Sequence, residues 1–230
     1  MRGALDGRVA LVTGAGAGIG EGIARRFADE GARVVVAECD EAAGRAVAEG
    51  IGGLFVGTDV SDRGQVERAV EAAASEYGSL DILVNNAWGG GAIGRVEHKT
   101  DRQLADGIAV GYYGPFWAMR AAYPYMKAAG WGRVVNLCSL NGVNAHVGSL
   151  EYNAAKEALR ALTRTAAREW APTGVTVNAL CPAAKSQAFL RAVGGHPELA
   201  ALADAANPMG RMGDPYDDIA PVAVFLASEG

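Results

Sequence analysis

The fold is decided by RVALVTGAGAGIG, residues 8–20. RVALVT is an apolar run that reads as a buried strand, glycines follow at 14, 16, 18 and 20, and helical periodicity begins at residue 18 and runs to about 30. Glycines at such a turn let the backbone bend sharply, approach a neighbouring group and pack the helix close to its strand. The N-terminus of the helix adds unpaired N–H groups that favour an anion. The pattern predicts a cradle for the pyrophosphate of a dinucleotide, with Gly14, Gly18, Ile19 and Gly20 as its backbone.

Working outward, the second strand-like run, RVVVAE at 33–38, ends on Glu38. That is close to the ~20-residue offset at which an acidic side chain accepts the hydroxyls of an adenosine ribose. A 2′-phosphate there would face a carboxylate, and the glycine turn carries no lysine or arginine to receive it. NAD is therefore expected in preference to NADP.

The alternation continues along the chain. Helical stretches at 40–49 and 62–77 flank GLFVG, and DILVN leads into a helical stretch around 101–129. RVVNLCS, a helix from about 150 and GVTVNALC complete six strand candidates. Such alternation implies an α/β doubly wound, Rossmann-like parallel sheet in three layers, formed as a single domain over residues 1–230. Residues 183–213, rich in glycine and proline, break the rhythm and read as a substrate lid over the sheet edge.

At 230 residues, half of them hydrophobic, the chain is long enough for one substantial core. The net charge of −5 and the lack of any Lys/Arg run argue against nucleic acid or an anionic membrane surface as partner, which leaves small molecules. No apolar run approaches the roughly 20 residues of a membrane span, and residues 1–7 are too short and polar for a signal peptide. A cytoplasmic protein is expected. Three cysteines, Cys39, Cys138 and Cys181, show no paired or metal-like spacing and are expected to be buried free thiols, with no metal site.

The chemistry-bearing residues lie further on. Ser139 ends the strand-like run at 133–139, and Tyr152 and Lys156 stand four apart at the head of the next helix, on one face. A hydroxyl, a phenol and an ammonium thus converge on one centre suited to hydride chemistry. The same Tyr-x-x-x-Lys spacing recurs at Tyr123 and Lys127, but that copy follows no strand-end serine. His146 stands alone in a loop with no nucleophile or metal constellation, and a solvated or packing role is expected for it. Trp88, Tyr112, Phe189 and Leu190 are candidates for an apolar pocket.

Taken in order, TGAGAGIG, Asp59-Val60, Asn85-Asn86-Ala87 and Ser139 with Tyr152-x-x-x-Lys156 make the chain resemble the short-chain dehydrogenase/reductase family from Arg8 to Glu229. The resemblance implies that Asp59 contacts the adenine amino group, Val60 lies beside the ring, and Asn85 and Ala87 help form the centre of the cofactor site. It places Pro182 near the nicotinamide. It further implies that Tyr152 exchanges the substrate proton as hydride moves between the alcohol carbon and the nicotinamide, with Ser139 orienting the substrate oxygen. Lys156 would bind the nicotinamide ribose and draw the phenol below its ordinary pKa near 10. Secondary alcohols or ketones are the implied substrates, and a homodimer or homotetramer the implied assembly.

The pattern departs from the family at four positions. Gly111 stands where the family carries an asparagine that supports a water-linked proton relay through Lys156. Glycine offers only its carbonyl and space for water. Trp88 and Ala183 each replace a glycine, and Gln187 replaces a threonine that meets the cofactor. These departures motivate a second reading, an NAD-binding regulatory or scaffold protein with weak catalysis. The last residues, FLASEG, resemble the segment before the family's final strand, so the natural chain is expected to continue beyond Gly230.

Overall fold

The computed structural model describes residues 3–89, 91–184, 194 and 196–229. Its strands are β1 (Val9–Thr13), β2 (Arg33–Glu38), β3 (Leu54–Gly57), β4 (Ile82–Asn85), β5 (Gly132–Leu137) and β6 (Val175–Leu180). All pair in parallel, in the order β3-β2-β1-β4-β5-β6. The order reverses between β1 and β4, and a ligand crevice opens at such a switch point, outside the carboxyl ends of the strands.

Alternate residues of each strand face opposite layers. Val12, Val36, Val84 and Leu137 pack on one side against α1 (Gly18–Asp29), α2 (Glu41–Ile51) and a terminal helix, Ala220–Ala227. Leu11, Val35, Leu83 and Val134 pack on the other side. They meet α3 (Arg63–Tyr77), a long helix at Gly114–Ala129, and another at Leu150–Trp170. Both faces are covered, which accounts for the near-continuous apolar strands.

The stretch read as one helix over 101–129 is α4 (Asp101–Ile108), a π-helical turn over Ala109–Tyr113, and α5 (Gly114–Ala129). Pro124 lies inside α5 without ending it. β5 stops at Leu137, two residues earlier than expected. Ser139 instead caps a short helix, α6 (Leu140–Val143), before α7 (Leu150–Trp170).

Within the expected lid, the described part holds α8 (Pro197–Ala206) and an isolated parallel bridge between Ala184 and Gly213. The Gly213 N–H donates to the Ala183 carbonyl at 2.9 Å, so the excursion leaves and rejoins the body at one point beside the end of β6. Gln187, Phe189 and Leu190 lie outside the described residues. The chain then forms α9 (Ala220–Ala227). Among the described residues, no helix is long and apolar enough to cross a membrane, and no cluster of His, Cys, Asp or Glu is suited to a metal.

Candidate active site

Because every strand runs the same way, Gly14, Glu38, Asp59, Asn86, Ser139 and Pro182, which follow or end six different strands, all reach one edge of the sheet. The glycine turn there is tightly made. Gly14 has φ +64°, and a Cβ on it would stand 2.7 Å from the Ala87 Cα. A Cβ on Gly20 would come within 2.1 Å of the Gly14 carbonyl oxygen. Ala17 precedes α1 without a side-chain cap, leaving the first N–H groups of the helix to an incoming anion.

Two residues outside the expected site hold this turn in place. Asn86 Nδ2 donates to the carbonyls of Thr13 and Gly14, each at 3.0 Å. The Thr13 hydroxyl accepts from the N–H groups of Asn86 and Ala87 at 3.1 and 3.2 Å. Thr13 and Asn86 thus staple β1 to β4 across the switch point. The doubled asparagine was the visible signal, but Asn85 points elsewhere. Buried, it donates to Asn136 Oδ1 at 2.8 Å, and Asn136 in turn donates to Thr163 Oγ1 at 2.8 Å. The Asn85 side chain is committed to that internal network.

Glu38 lies beside the turn. One carboxylate oxygen accepts from the Gly16 N–H at 3.0 Å, and the other from the N–H groups of Cys39 and Asp40 at 2.8 and 3.1 Å. A Cβ on Gly16 would meet Glu38 Cγ at 2.8 Å, so only glycine allows this approach. Asp59 accepts from Ser61 N and Oγ at 2.9 and 2.7 Å on one oxygen. Buried Val60 packs under the start of α5. Cys39 contradicts the expectation of burial. It is exposed, with its Sγ donating to Glu38 at 3.2 Å, because β2 has already left the core at that point; Cys138 is buried and Cys181 half-buried.

Ser139, Tyr152 and Lys156 converge as expected. The Ser139 hydroxyl accepts from the Asn141 N–H at 3.1 Å and neighbours the Tyr152 phenol. Lys156 is buried one turn further along α7, and its Nζ donates to the Leu137 carbonyl at 2.6 Å. Its Nζ lies 5.7 Å from the centroid of the Tyr152 ring. Burial pulls the ammonium pKa down to about 8. The phenol departs from expectation: burial pushes its pKa up, and the neighbouring Ser139 hydroxyl opposes this only in part. The physical reason is that Lys156 spends its nearest contact on a backbone carbonyl while the ring is walled from water.

Trp88 forms much of that wall. Its indole meets the Tyr152 ring edge-on, with centroids 4.8 Å apart and planes at 83°, and lies 5.7 Å from Lys156 Nζ. It also occupies the space beside Gly111. A Cβ there would stand 2.8 Å from the indole Cζ3 and 2.7 Å from the Ala155 Cβ. The roomy, water-accepting gap expected at Gly111 is filled by protein.

The remaining candidates sit apart. Tyr123 stacks on Trp170 at 4.3 Å, at the far end of α7, ~27 Å along the helix from Tyr152 at 1.5 Å per residue. His146 is exposed, with Nδ1 3.2 Å from Ser149 Oγ, and Tyr112 packs on Tyr113 with ring centroids 5.5 Å apart.

A dinucleotide cleft at the switch point, with three convergent proton-bearing side chains at its mouth, defines a class of oxidoreductases. Comparison with known proteins agrees. The family model for enoyl-(acyl carrier protein) reductase matches residues 14–230. The 12α-hydroxysteroid dehydrogenase of a Clostridium species is 37% identical over 238 residues, covering 98% of this chain and 92% of the relative. The L-tagatose-forming galactitol 2-dehydrogenase of Cereibacter sphaeroides is 40% identical over 235 residues, covering 97% and 89%. Among solved structures, a 3-ketoacyl-(acyl-carrier-protein) reductase from Brucella melitensis complexed with NADH superposes with a TM-score of 0.89 at 34% identity, covering 98% of this chain and 92% of that one. The chain belongs to the short-chain dehydrogenase/reductase family, whose fold binds a nicotinamide cofactor.

The residues present fit such a cofactor. Gly14, Gly16 and Gly20 leave backbone bare where a Cβ would collide, and the uncapped head of α1 faces the same crevice.

Proposed function

We propose that the protein is an NAD-dependent oxidoreductase that interconverts a secondary alcohol and its ketone, with Tyr152 as the acid/base. The observation that carries this reading is the Tyr152 phenol beside the Ser139 hydroxyl, with Lys156 Nζ 5.7 Å from its ring, at the mouth of a glycine-lined cleft. When bound, the nicotinamide supplies the hydride acceptor or donor. The Tyr152 Oη takes the proton of the alcohol in oxidation and returns it in reduction, while Ser139 orients the substrate oxygen and stabilises its developing charge. The Lys156 Nζ donates one hydrogen to Leu137 and has two further protons for ribose hydroxyls. Gly14, Gly18, Ile19 and Gly20 would cradle the pyrophosphate. Glu38 would accept from the adenosine ribose, Asp59 and Val60 would flank the adenine, and Ala87 and Pro182 would border the nicotinamide half.

The test is a panel of secondary alcohols and ketones followed by NADH absorbance. Tyr152→Phe is expected to lower turnover roughly 10²–10⁴-fold while dinucleotide affinity stays near wild type. Undiminished turnover in that variant removes Tyr152 from the chemistry. One observation favours a second reading, dinucleotide binding with little turnover: the space at Gly111 is occupied by Trp88. Absence of turnover across the panel, with tight NADH binding, would select it.

A further inference from the structure

Glu151, the residue immediately before Tyr152, is a buried carboxylate that none of the proposed chemistry uses. Its only charged partner among the contacts described is Lys99, 52 residues earlier. The two side chains are 2% and 4% exposed. Lys99 Nζ lies 2.8 Å from each carboxylate oxygen, aimed as a hydrogen bond at Oε1 and pairing with Oε2 by charge alone. Burial pushes this carboxyl up, but hydrogen bonds from Lys99 and from the Glu151 and Ala92 N–H groups outweigh it and hold the pKa below the usual range.

The pair grips a glycine-rich segment. The sequence after β4 reads Trp88-Gly89-Gly90-Gly91-Ala92-Ile93-Gly94, and its described residues, 88–89 and 91–94, form neither helix nor strand. Ala92 gives its N–H to Glu151 Oε1 at 2.9 Å and its carbonyl to Lys99 Nζ, so both backbone polar groups of this residue end on the ion pair. α4 closes over the pair: a Cβ on Gly107 would stand 2.8 Å from the Glu151 Cβ. At one end of the gripped segment is Trp88, whose indole packs T-shaped against the Tyr152 ring. At the other end of the grip, one residue along α7, is Tyr152 itself.

A buried ion pair is weak evidence for stability, because apolar residues of similar volume commonly serve the fold as well or better. What apolar residues cannot do is hold the N–H and C=O of Ala92. We propose that Lys99 and Glu151 are positioning residues, a clamp that fixes the loop after β4 to the head of α7 and so sets the Trp88 indole against the Tyr152 phenol. The proposal rests on the reading of Tyr152 as acid/base.

The test uses the full chain with the paired replacement Lys99→Met and Glu151→Leu, beside Glu151→Gln alone. Glu151→Gln leaves the Lys99 ammonium buried without a counter-charge and lowers Tm, whereas the paired replacement recovers Tm. In both, NADH Kd stays within about two-fold, kcat falls about 10- to 100-fold, and amide exchange over 91–95 quickens. A purely structural pair predicts that kcat recovers together with Tm. Wild-type kcat in the paired variant, or unchanged exchange over 91–95 whatever the turnover, overturns the clamp. Should the paired variant not fold, Glu151→Gln carries the same comparison of exchange and kcat. Tyr152→Phe keeps the two ideas apart: turnover surviving that change removes the acid/base reading, while loss there with wild-type kcat in the paired variant removes the clamp alone.

Discussion

At Lys156 an ammonium has been carried into a buried position, and its pKa has fallen from 10.5 to about 8 as a result. The sign of the linkage follows directly. Below about pH 8 both folded and unfolded chains hold the proton and the cost of burial is at its full value. Between about 8 and 10.5 the unfolded chain holds more proton, so stability rises with pH through that window. A shift of this size corresponds to roughly 3.5 kcal/mol at most, since one pKa unit is about 1.4 kcal/mol, and the bond to the Leu137 carbonyl returns part of it. Lys156→Met is therefore expected to raise Tm at pH 7 while abolishing turnover, with the gain shrinking as pH approaches 10. A lower Tm at pH 7 would show that the ammonium is stabilised where it lies. The convergence of Ser139, Tyr152 and Lys156 was legible because positions just after a strand and i, i+4 positions on a helix are local. Their environment was not, because it depends on Trp88, 64 residues before Tyr152 and on a different strand's loop.

At the scale of elements, the π-helical turn at Ala109–Tyr113 explains how α4 and α5 serve two close contacts at once. The extra residue in the turn aims Gly111 at Ala155 and Trp88, while a Cβ on Gly114, three residues on, would stand 2.7 Å from the Val60 carbonyl oxygen. Helical periodicity over 101–129 was readable in the sequence, but a π turn has no local signature there; it is set by what α7 and β3's exit loop press against it. Gly111 and Trp88 are then two halves of one arrangement: no side chain at 111, an indole in its place. Gly111→Asn is expected to cost about 1–3 kcal/mol through overpacking and to lower turnover by displacing Trp88 from Tyr152. Adding Trp88→Gly should recover part of the stability and no more, because the Ala155 Cβ, 2.7 Å away, does not move with the indole. Additive effects in the four-variant cycle would mean that the two positions do not share the space.

For the whole molecule, apolar runs alternating with helical periods left few topologies open, and right-handed crossovers place the glycine turn beside the switch point between β1 and β4. That much of the fold was written in local pattern. Which loops touch beyond the strand ends was not, because the Thr13–Asn86 staple and the Lys99–Glu151 pair join residues 73 and 52 apart by side chains common in any sequence. The switch point separates β1–β3 from β4–β6 within one continuous sheet, and a dinucleotide lying across its carboxyl end would contact both halves. Binding should then stabilise the molecule as a unit. At a hundred times its Kd, NAD is expected to add about 2.7 kcal/mol, which for a domain of this size raises Tm by roughly 5–10 °C. NADP at the same concentration should give a smaller shift, because its 2′-phosphate meets the Glu38 carboxylate. The nearby Arg45 is already paired with Glu41 at 2.8 Å and stacked over Phe55 at 4.9 Å. Like charges about 4 Å apart near a protein surface repel by up to ~4 kcal/mol, enough to separate the two melting curves. Glu38→Ala should draw the curves together by removing both the hydroxyl acceptor and the repulsion. A larger shift with NADP in the unaltered protein would mean that Glu38 does not face the ribose.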